Sequence, residues 1–232
     1  MKRFAIIVAG GSGSRLGGEK PKQFLLVNKK PILLYSVEQF AKHPQIDGIV
    51  LVVNEQFISE TQEYVQAFNI QKVMAIVSGG STRQQSVFEG LKKVKEFADD
   101  NDIVLIHDSA RPLVSEKIIS DNISLAEQYS SICTALPCTN TIFQSIDGVS
   151  VSSVPNRKEL FEGQTPQTFK LSLIYKAHLN ALQNGVVDAS DDVSLVTLLG
   201  ESTHLVLGSP LNYKITTSKD LIVLQSLIEQ GA

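Results

Sequence analysis

At 232 residues, with a formal net charge of -3, 43% hydrophobic and 19% charged residues, the chain has the material for one sizeable α/β domain. That balance excludes a general nucleic-acid or anionic-membrane surface, so an anion bound here must be held locally. The two cysteines, Cys133 and Cys138, have no His or Cys neighbours at metal-ligand spacing, which argues against a zinc site and suits thiols in a reducing cytoplasm.

Arg3 to Val8 is an apolar run of strand length, which suits a strand buried on both faces of a parallel sheet. Its basic lead-in and short apolar stretch do not make a signal peptide, and no segment approaches membrane-spanning length, so a cytoplasmic protein is expected. Pro31 opens a helical pattern through Ile32, Leu33, Val37 and Phe40. Strands at Asp47 to Val53, Lys72 to Val77 and Ile103 to Ile106 then alternate with helices at Phe57 to Phe68, Gln84 to Phe97 and Ser115 to Tyr129.

Ser131 to Leu136 reads as another strand. The pattern then changes: Thr141 to Val154 has no helical period and carries Asp147-Gly148, a hairpin signal, so Pro137 to Leu160 is expected to form an extended β-arm. Beyond the stretch Gly163 to Phe169, a helix from Leu171 to about Asn184 is stopped by Gly185. Ser190-Asp191-Asp192 caps a short helix from Val193 to Leu199. His204 to Leu207 and Tyr213 to Thr216 read as short strands, and Thr217 to Asp220 as the capping box of a last amphipathic helix. The expected organisation is a single domain over 1–232 with the arm at 137–160 as an excursion.

Alternating strands and helices imply a Rossmann-like, doubly wound, mostly parallel sheet, whose ligands bind beyond the carboxyl ends of the strands. Three loops at such ends carry chemistry. The first, Val8 to Leu25, concentrates glycines with Arg15, Lys20 and Lys22, and glycine lets backbone N–H groups approach an anion closely. It is neither a dinucleotide fingerprint, since Leu16 stands where the last glycine belongs, nor a Walker loop, since G-K-[S/T] is missing. The other two are Ser78-Gly79-Gly80-Ser81-Thr82-Arg83 and His107-Asp108-Ser109-Ala110-Arg111-Pro112, so the topology collects the three loops into one polyphosphate-binding crevice.

Several motifs then coincide in order and spacing: Ala9-Gly-Gly-Ser-Gly-Ser-Arg15, Pro21-Lys-Gln-Phe-Leu25, Gly79-Gly80 through Arg83 to Ser86-Val87, His107 to Pro112, Thr165-Pro166-Gln167 and Asn212-Tyr-Lys214. Together, over nearly the whole chain, they resemble the 2-C-methyl-D-erythritol 4-phosphate cytidylyltransferase family, whose close relative is ribitol-5-phosphate cytidylyltransferase. The resemblance implies a nucleotide-diphospho-sugar transferase type of fold. It also implies attack of a polyol-phosphate oxygen on the α-phosphorus of CTP, with Mg²⁺ on the CTP phosphates and no dedicated metal ligand in the protein. Such a reaction needs positioning and positive charge rather than a covalent nucleophile, and the sequence offers no persuasive Ser-His-Asp or Cys-His set.

By the same resemblance Arg15, Lys22 and Lys214 contact the triphosphate. The backbone of Ala9, Gly10 and Gly11, with Gly13 in the same loop, faces the nucleotide, and Gly80, Ser81 and Ser86 hold the cytosine and nucleoside. Asp108 and Ser109 reach the ribose and acceptor hydroxyls, while Thr141, Arg157 and Thr165 take the acceptor side. Ser190 and Asp191 either complete the acceptor pocket or cap a helix, Arg111 pairs with Asp108 or meets ligand, and His107 is a scaffold residue. A homodimer interlocked through the arms is implied, each Arg157 serving the other subunit. Ser81 stands where the family often has Asp, and Asn140 and Phe143 replace an acidic and a basic residue beside the acceptor. Three readings follow: the methylerythritol enzyme, favoured by the segments 79–91 and 190–196; the ribitol or another polyol-phosphate enzyme, which Pro155-Asn156-Arg157 with Gly163 to Phe169 resembles; and a nucleotide-binding regulator without catalysis.

Overall fold

The computed structural model describes residues 1–10 and 20–231. Strand β1 (Arg3–Ala9) runs through the centre of the molecule. Ala5, Ile7 and Ala9 face one helical layer, while Phe4, Ile6 and Val8 face the other. This is the two-residue period of a strand buried on both sides, and fully buried side chains the size of Phe4, Ile6 and Ile7 contribute about 1.5–3 kcal/mol each.

A small hairpin of β2 (Leu26–Val27) and β3 (Lys30–Pro31), turned by Asn28 and Lys29 at positive φ, leads into α1 (Ile32–Lys42), with Pro31 immediately before the first helical residue. The strand–helix alternation continues with β4 (Gly48–Val53), α2 (Ile58–Ala67), β5 (Val73–Ser78), α3 (Arg83–Val94), β6 (Ile103–Asp108) and α4 (Glu116–Ala126). After β7 (Ser131–Pro137) the chain leaves the sheet, returns as β8 (Phe161–Lys170), and closes with α5 (Leu171–Gln183), α6 (Asp192–Thr197), β9 (His204–Leu207) and α7 (Ser218–Glu229).

The seven-stranded sheet has the order β5-β4-β1-β6-β8-β7-β9, parallel throughout except for β8, which is antiparallel to both neighbours. Helices α1, α2 and α4 cover one face and α3, α5 and α6 the other. A satellite core of Val27, Ile32, Ile215 and Leu224 ties α7 to the β2–β3 hairpin. The sheet is therefore the expected doubly wound, mostly parallel α/β arrangement.

Two segments differ from the sequence reading. The stretch Gly163 to Phe169 belongs to a ten-residue strand inside the sheet, although Pro166 argues against a central strand. Pro166 lies beyond the last β6 pair, Ile106 with Gln167, and beside the irregularity of β7 between Cys133 and Ala135, so no ladder bond is asked of it. Tyr213 to Thr216 is not a strand. It is an irregular segment fixed by one backbone bond, Ile215 N–H to the Ala110 carbonyl at 2.9 Å, and by the buried Ile215 side chain. The expected capping box is present, Thr217 and Asp220 bonding reciprocally at the start of α7.

Residues 138–160 form the excursion between β7 and β8. Its turn is held by Asp147, whose carboxylate accepts from the backbone N–H groups of Val149 and Ser150 at 2.9 and 2.8 Å, with Gly148 at φ 73°. Strand pairing within it is limited to one antiparallel bridge, Gln144 with Ser153.

Candidate active site

A cleft of about 710 Å³ opens at the carboxyl ends of β1, β4, β5 and β6, where a doubly wound sheet changes direction. Ala9, Gly10, Lys22, Gly80, Ser81, Ser86, Asp108, Ser109 and Lys214 all line it, so nine of the expected site residues converge from four separate stretches. Gly11, Gly13 and Arg15 lie outside the described residues.

The floor is built from small residues. Ser86 Oγ donates to the Thr82 carbonyl at 2.9 Å and accepts from Gly80 N–H at 3.2 Å. A Cβ on Gly79 would meet that hydroxyl at 2.7 Å and one on Gly10 at 2.9 Å, so glycine lets the loops after β1 and β5 close over the start of α3 without displacing the Ser86 hydroxyl. Ser81 is turned toward Gln85, its hydroxyl 2.8 Å from Oε1.

Lys22 sits in a single 3₁₀ turn, Lys22–Phe24, and its neighbours hold that turn down. Phe24 stacks on Phe57 with ring centroids 4.3 Å apart, and the buried Gln23 donates from Nε2 to the Ala9 carbonyl at 2.6 Å. Lys22 Nζ donates to the Ile215 carbonyl at 2.6 Å, which joins the loop after β1 to the segment that carries Lys214.

Asp108 ends β6 and is the electrostatic centre of the cleft. Its Oδ1 accepts from Arg83 Nε at 3.1 Å and its Oδ2 from Lys214 Nζ at 2.7 Å, with Arg111 Nε 4.0 Å away. Burial alone would raise its pKa, but these cations hold the carboxyl far below the usual range. Arg83 is half-buried and desolvation there would lower its basicity, yet Asp192 and Asp108 raise it further, so the pair stays ionised. One donor of Lys214 is spent on Asp108, and the remaining two are available to an anionic ligand.

Several residues support this centre from behind. His107 is fully buried, with Nε2 3.1 Å from the Arg111 carbonyl and Nδ1 3.0 Å from Thr165 Oγ1. Burial lowers its pKa to about 4, so the imidazole is neutral near pH 7. Thr165 Oγ1 also accepts the Asp108 backbone N–H at 3.1 Å, which places this hydroxyl against the inner side of the Asp108 loop. Arg111 reaches past Asp108 to the Asn212 carbonyl at 2.8 Å and pins the return segment. Cys133 is buried, which pushes its thiol up to about 11 and leaves it protonated.

The remaining acceptor-side residues stand apart from the cleft lining. Thr141 and Arg157 are exposed on the arm, where Arg157 Nη1 donates to the Thr139 carbonyl at 2.7 Å. Ser190 is exposed, and Asp191 caps α6 by accepting Ser194 N–H at 3.0 Å. Arg83, quoted in the motif but given no role from sequence, proves central to the site. The signal was there: an arginine in the first turn of a helix opposes the helix dipole and calls for a carboxylate partner.

The described residues do not fit a resident divalent ion. No three His, Cys, Asp or Glu side chains among them gather to hold one, and both oxygens of Asp108 are already taken by Arg83 and Lys214. The cleft instead offers backbone amides, glycine surfaces and ammonium groups, a donor set suited to a nucleotide polyphosphate.

Comparison with known proteins agrees with this geometry. Residues 4–230 match the family model for 2-C-methyl-D-erythritol 4-phosphate cytidylyltransferase. A protein of that name from Clostridium acetobutylicum is 44% identical over 230 residues, covering 98% of each chain. A ribitol-5-phosphate cytidylyltransferase from Lacticaseibacillus paracasei is 36% identical over 228 residues, covering 97% of each. The crystal structure of 4-diphosphocytidyl-2C-methyl-D-erythritol synthase from Anaerococcus prevotii superposes with a TM-score of 0.84 at 28% identity, covering 98% of this chain and 96% of that one. The match of fold and sequence runs almost end to end, and the chain belongs to the 2-C-methyl-D-erythritol 4-phosphate cytidylyltransferase family.

Proposed function

We propose that this chain transfers the CMP group of CTP to 2-C-methyl-D-erythritol 4-phosphate, releasing pyrophosphate and forming 4-diphosphocytidyl-2-C-methyl-D-erythritol, an isoprenoid precursor. The observation that carries the reading is the full-length family match, with the glycine-lined cleft placing Lys22 and Lys214 on facing segments. A phosphate oxygen of the acceptor attacks the α-phosphorus, the bond to the β-phosphate oxygen breaks, and pyrophosphate departs with that electron pair. Nucleophile and leaving group are both anions, so the work of the chain is to align them and offset crowded negative charge.

In this reading Lys22 and Lys214, with Arg15, face the triphosphate, and the backbone at Ala9, Gly10 and Gly80 with Ser86 holds the nucleoside. Ser81 and Ser109 border the same space. Family enzymes work with a divalent cation. Since the described side chains do not cage one, we assign magnesium to the CTP substrate.

The acceptor is assigned to Asp108, Thr141, Arg157, Thr165 and Ser190, with the arm completing the site in a homodimer. Support comes from the arm's exposed apolar residues, Phe143, Ile146 and Val149 among them, which none of the described residues covers. Free cysteines and the lack of any long apolar helix among the described residues fit a cytoplasmic setting.

Pyrophosphate release from CTP and Mg²⁺ is the deciding assay, run with methylerythritol phosphate and ribitol 5-phosphate as alternative acceptors. Turnover with the former is expected. Turnover only with ribitol 5-phosphate would move the chain to the activity named for its 36% identical relative, and no turnover with any acceptor would leave a nucleotide-binding regulator. Arg157→Ala is expected to raise the acceptor KM about tenfold or more while the CTP KM stays within about twofold, consistent with loss of a charge-assisted phosphate contact. Equal changes in both constants would remove Arg157 from the acceptor site.

A further inference from the structure

We infer that Arg83 and Asp192 are positioning residues that pass the fixed geometry of the α5–α6 layer to Lys214 by way of Asp108, an inference that rests on the function proposed above. A single guanidinium spans two carboxylates from different elements: Nε donates to Asp108 Oδ1 at 3.1 Å, and Nη1 donates to Asp192 Oδ2 at 2.7 Å. Only a planar fork can serve two such partners at set angles.

The anchor end is immobilised. Asp192 is 1% exposed, and its Oδ1 lies 3.1 Å from His178 Nε2 on α5. Its backbone N–H donates to Gln167 Oε1 on β8 at 3.0 Å. His178 is in turn stacked on Phe88 of α3, with centroids 5.6 Å apart and planes within 5°. The working end is otherwise loose: Lys214 lies on the irregular segment before α7, its side chain is 36% exposed, and an ammonium on a four-carbon stem has no preferred direction until Asp108 Oδ2 takes it at 2.7 Å. Asp108 is thus the link and Arg83 the brace that fixes its orientation. The charge of Arg83 is already spent on two carboxylates.

The test is a set of double-mutant cycles on the purified chain, with kcat, the KM of each substrate and CTP affinity by calorimetry. Arg83→Gln is expected to lower kcat about 100-fold, with the CTP KM changing only a few-fold, because a misplaced group costs rate before binding. Asp192→Asn is expected to cost about tenfold, and Arg83→Lys to recover only part of the loss, since one ammonium cannot bridge both carboxylates. Combining Arg83→Gln with Lys214→Ala is expected to cost little more than Lys214→Ala alone, as both remove the same placed ammonium.

Fully additive losses would overturn the inference, as would variants that melt earlier yet turn over at the wild-type rate. If Arg83→Gln does not fold, the same cycle is run with Arg83→Lys. A wild-type chain inactive with every acceptor counts against the proposed function instead, and the cycle read as CTP affinity then decides: coupled losses support the brace, additive ones remove it.

Discussion

Lys22→Ala is expected to lower kcat by about two to three orders of magnitude while leaving the fold intact, since removing one preorganised donor from developing charge costs about 2.7–4 kcal/mol in transition-state stabilisation. The turn that carries Lys22 is held by Phe24 on Phe57 and by Gln23 on the Ala9 carbonyl, neither of which the substitution touches. Among the described residues the substitution removes the bond to the Ile215 carbonyl, worth about 1 kcal/mol, and the melting temperature is expected to fall by a few degrees. Lys22→Arg is expected to recover part of the rate, because a guanidinium keeps the charge but not the compact ammonium geometry. Steady-state turnover with saturating CTP and acceptor, alongside thermal melts, checks both statements. A near-normal kcat in Lys22→Ala would refute the electrostatic mechanism.

The contrast between Lys22 and Arg83 shows what a sequence exposes and what it hides. Lys22 sits in a local motif, Pro-Lys-Gln-Phe, whose other members hold it in place, so function and support are read within a few residues. The strands were legible for the same reason: β1 and β4 are continuous apolar runs, and the loops after β1, β5 and β6 carry the glycines and the carboxylate of the cleft. The brace of Arg83 depends instead on Asp192, 109 positions away, and on His178 behind it, a pairing set by how α3, α5 and α6 stack on one face.

Strand β8 was hidden by a different cause. Its central Pro166 and its polar Gln164, Thr165, Gln167 and Thr168 carry no strand-like alternation, yet all of these side chains but the proline form buried hydrogen bonds. Gln164 holds Ser209 and Asn212, Thr165 holds the Asp108 loop, Gln167 reaches Asp191, and Thr168 meets Asn122. A polar strand inside a sheet is stable only when each group finds a partner, and partners that distant cannot be read from local pattern. The return segment 213–216 follows the same logic, its place fixed by Ala110 and Lys22 rather than by any pattern of its own.

Asp108→Asn should destabilise the fold and should also lower kcat by about 100-fold. The amide keeps the shape but removes the charge that Arg83 and Lys214 share, leaving the half-buried Arg83 with Asp192 as its one remaining close carboxylate among the described residues. Breaking a fully buried ion pair from one side costs about 3–5 kcal/mol, less here because the Arg83 and Lys214 side chains are 20% and 36% exposed, and the rate falls because Lys214 loses the oxygen that aims it. The stability difference from wild type should also depend on pH, in a direction fixed by the lowered pKa. In the folded chain the Asp108 carboxyl is held well below its ordinary value, by cations that outweigh the opposing effect of burial. Its contribution is therefore complete above the unfolded pKa of about 3.9, and it is lost as pH falls toward the folded pKa and the unfolded chain alone takes up the proton. Denaturant unfolding at pH 7 should show the full gap between wild type and Asp108→Asn, and the gap should narrow steadily from about pH 4 to pH 2.5. A gap that stays constant over that range would mean the carboxyl titrates alike in both states, and the cation-locked centre assigned to Asp108 would have to be abandoned.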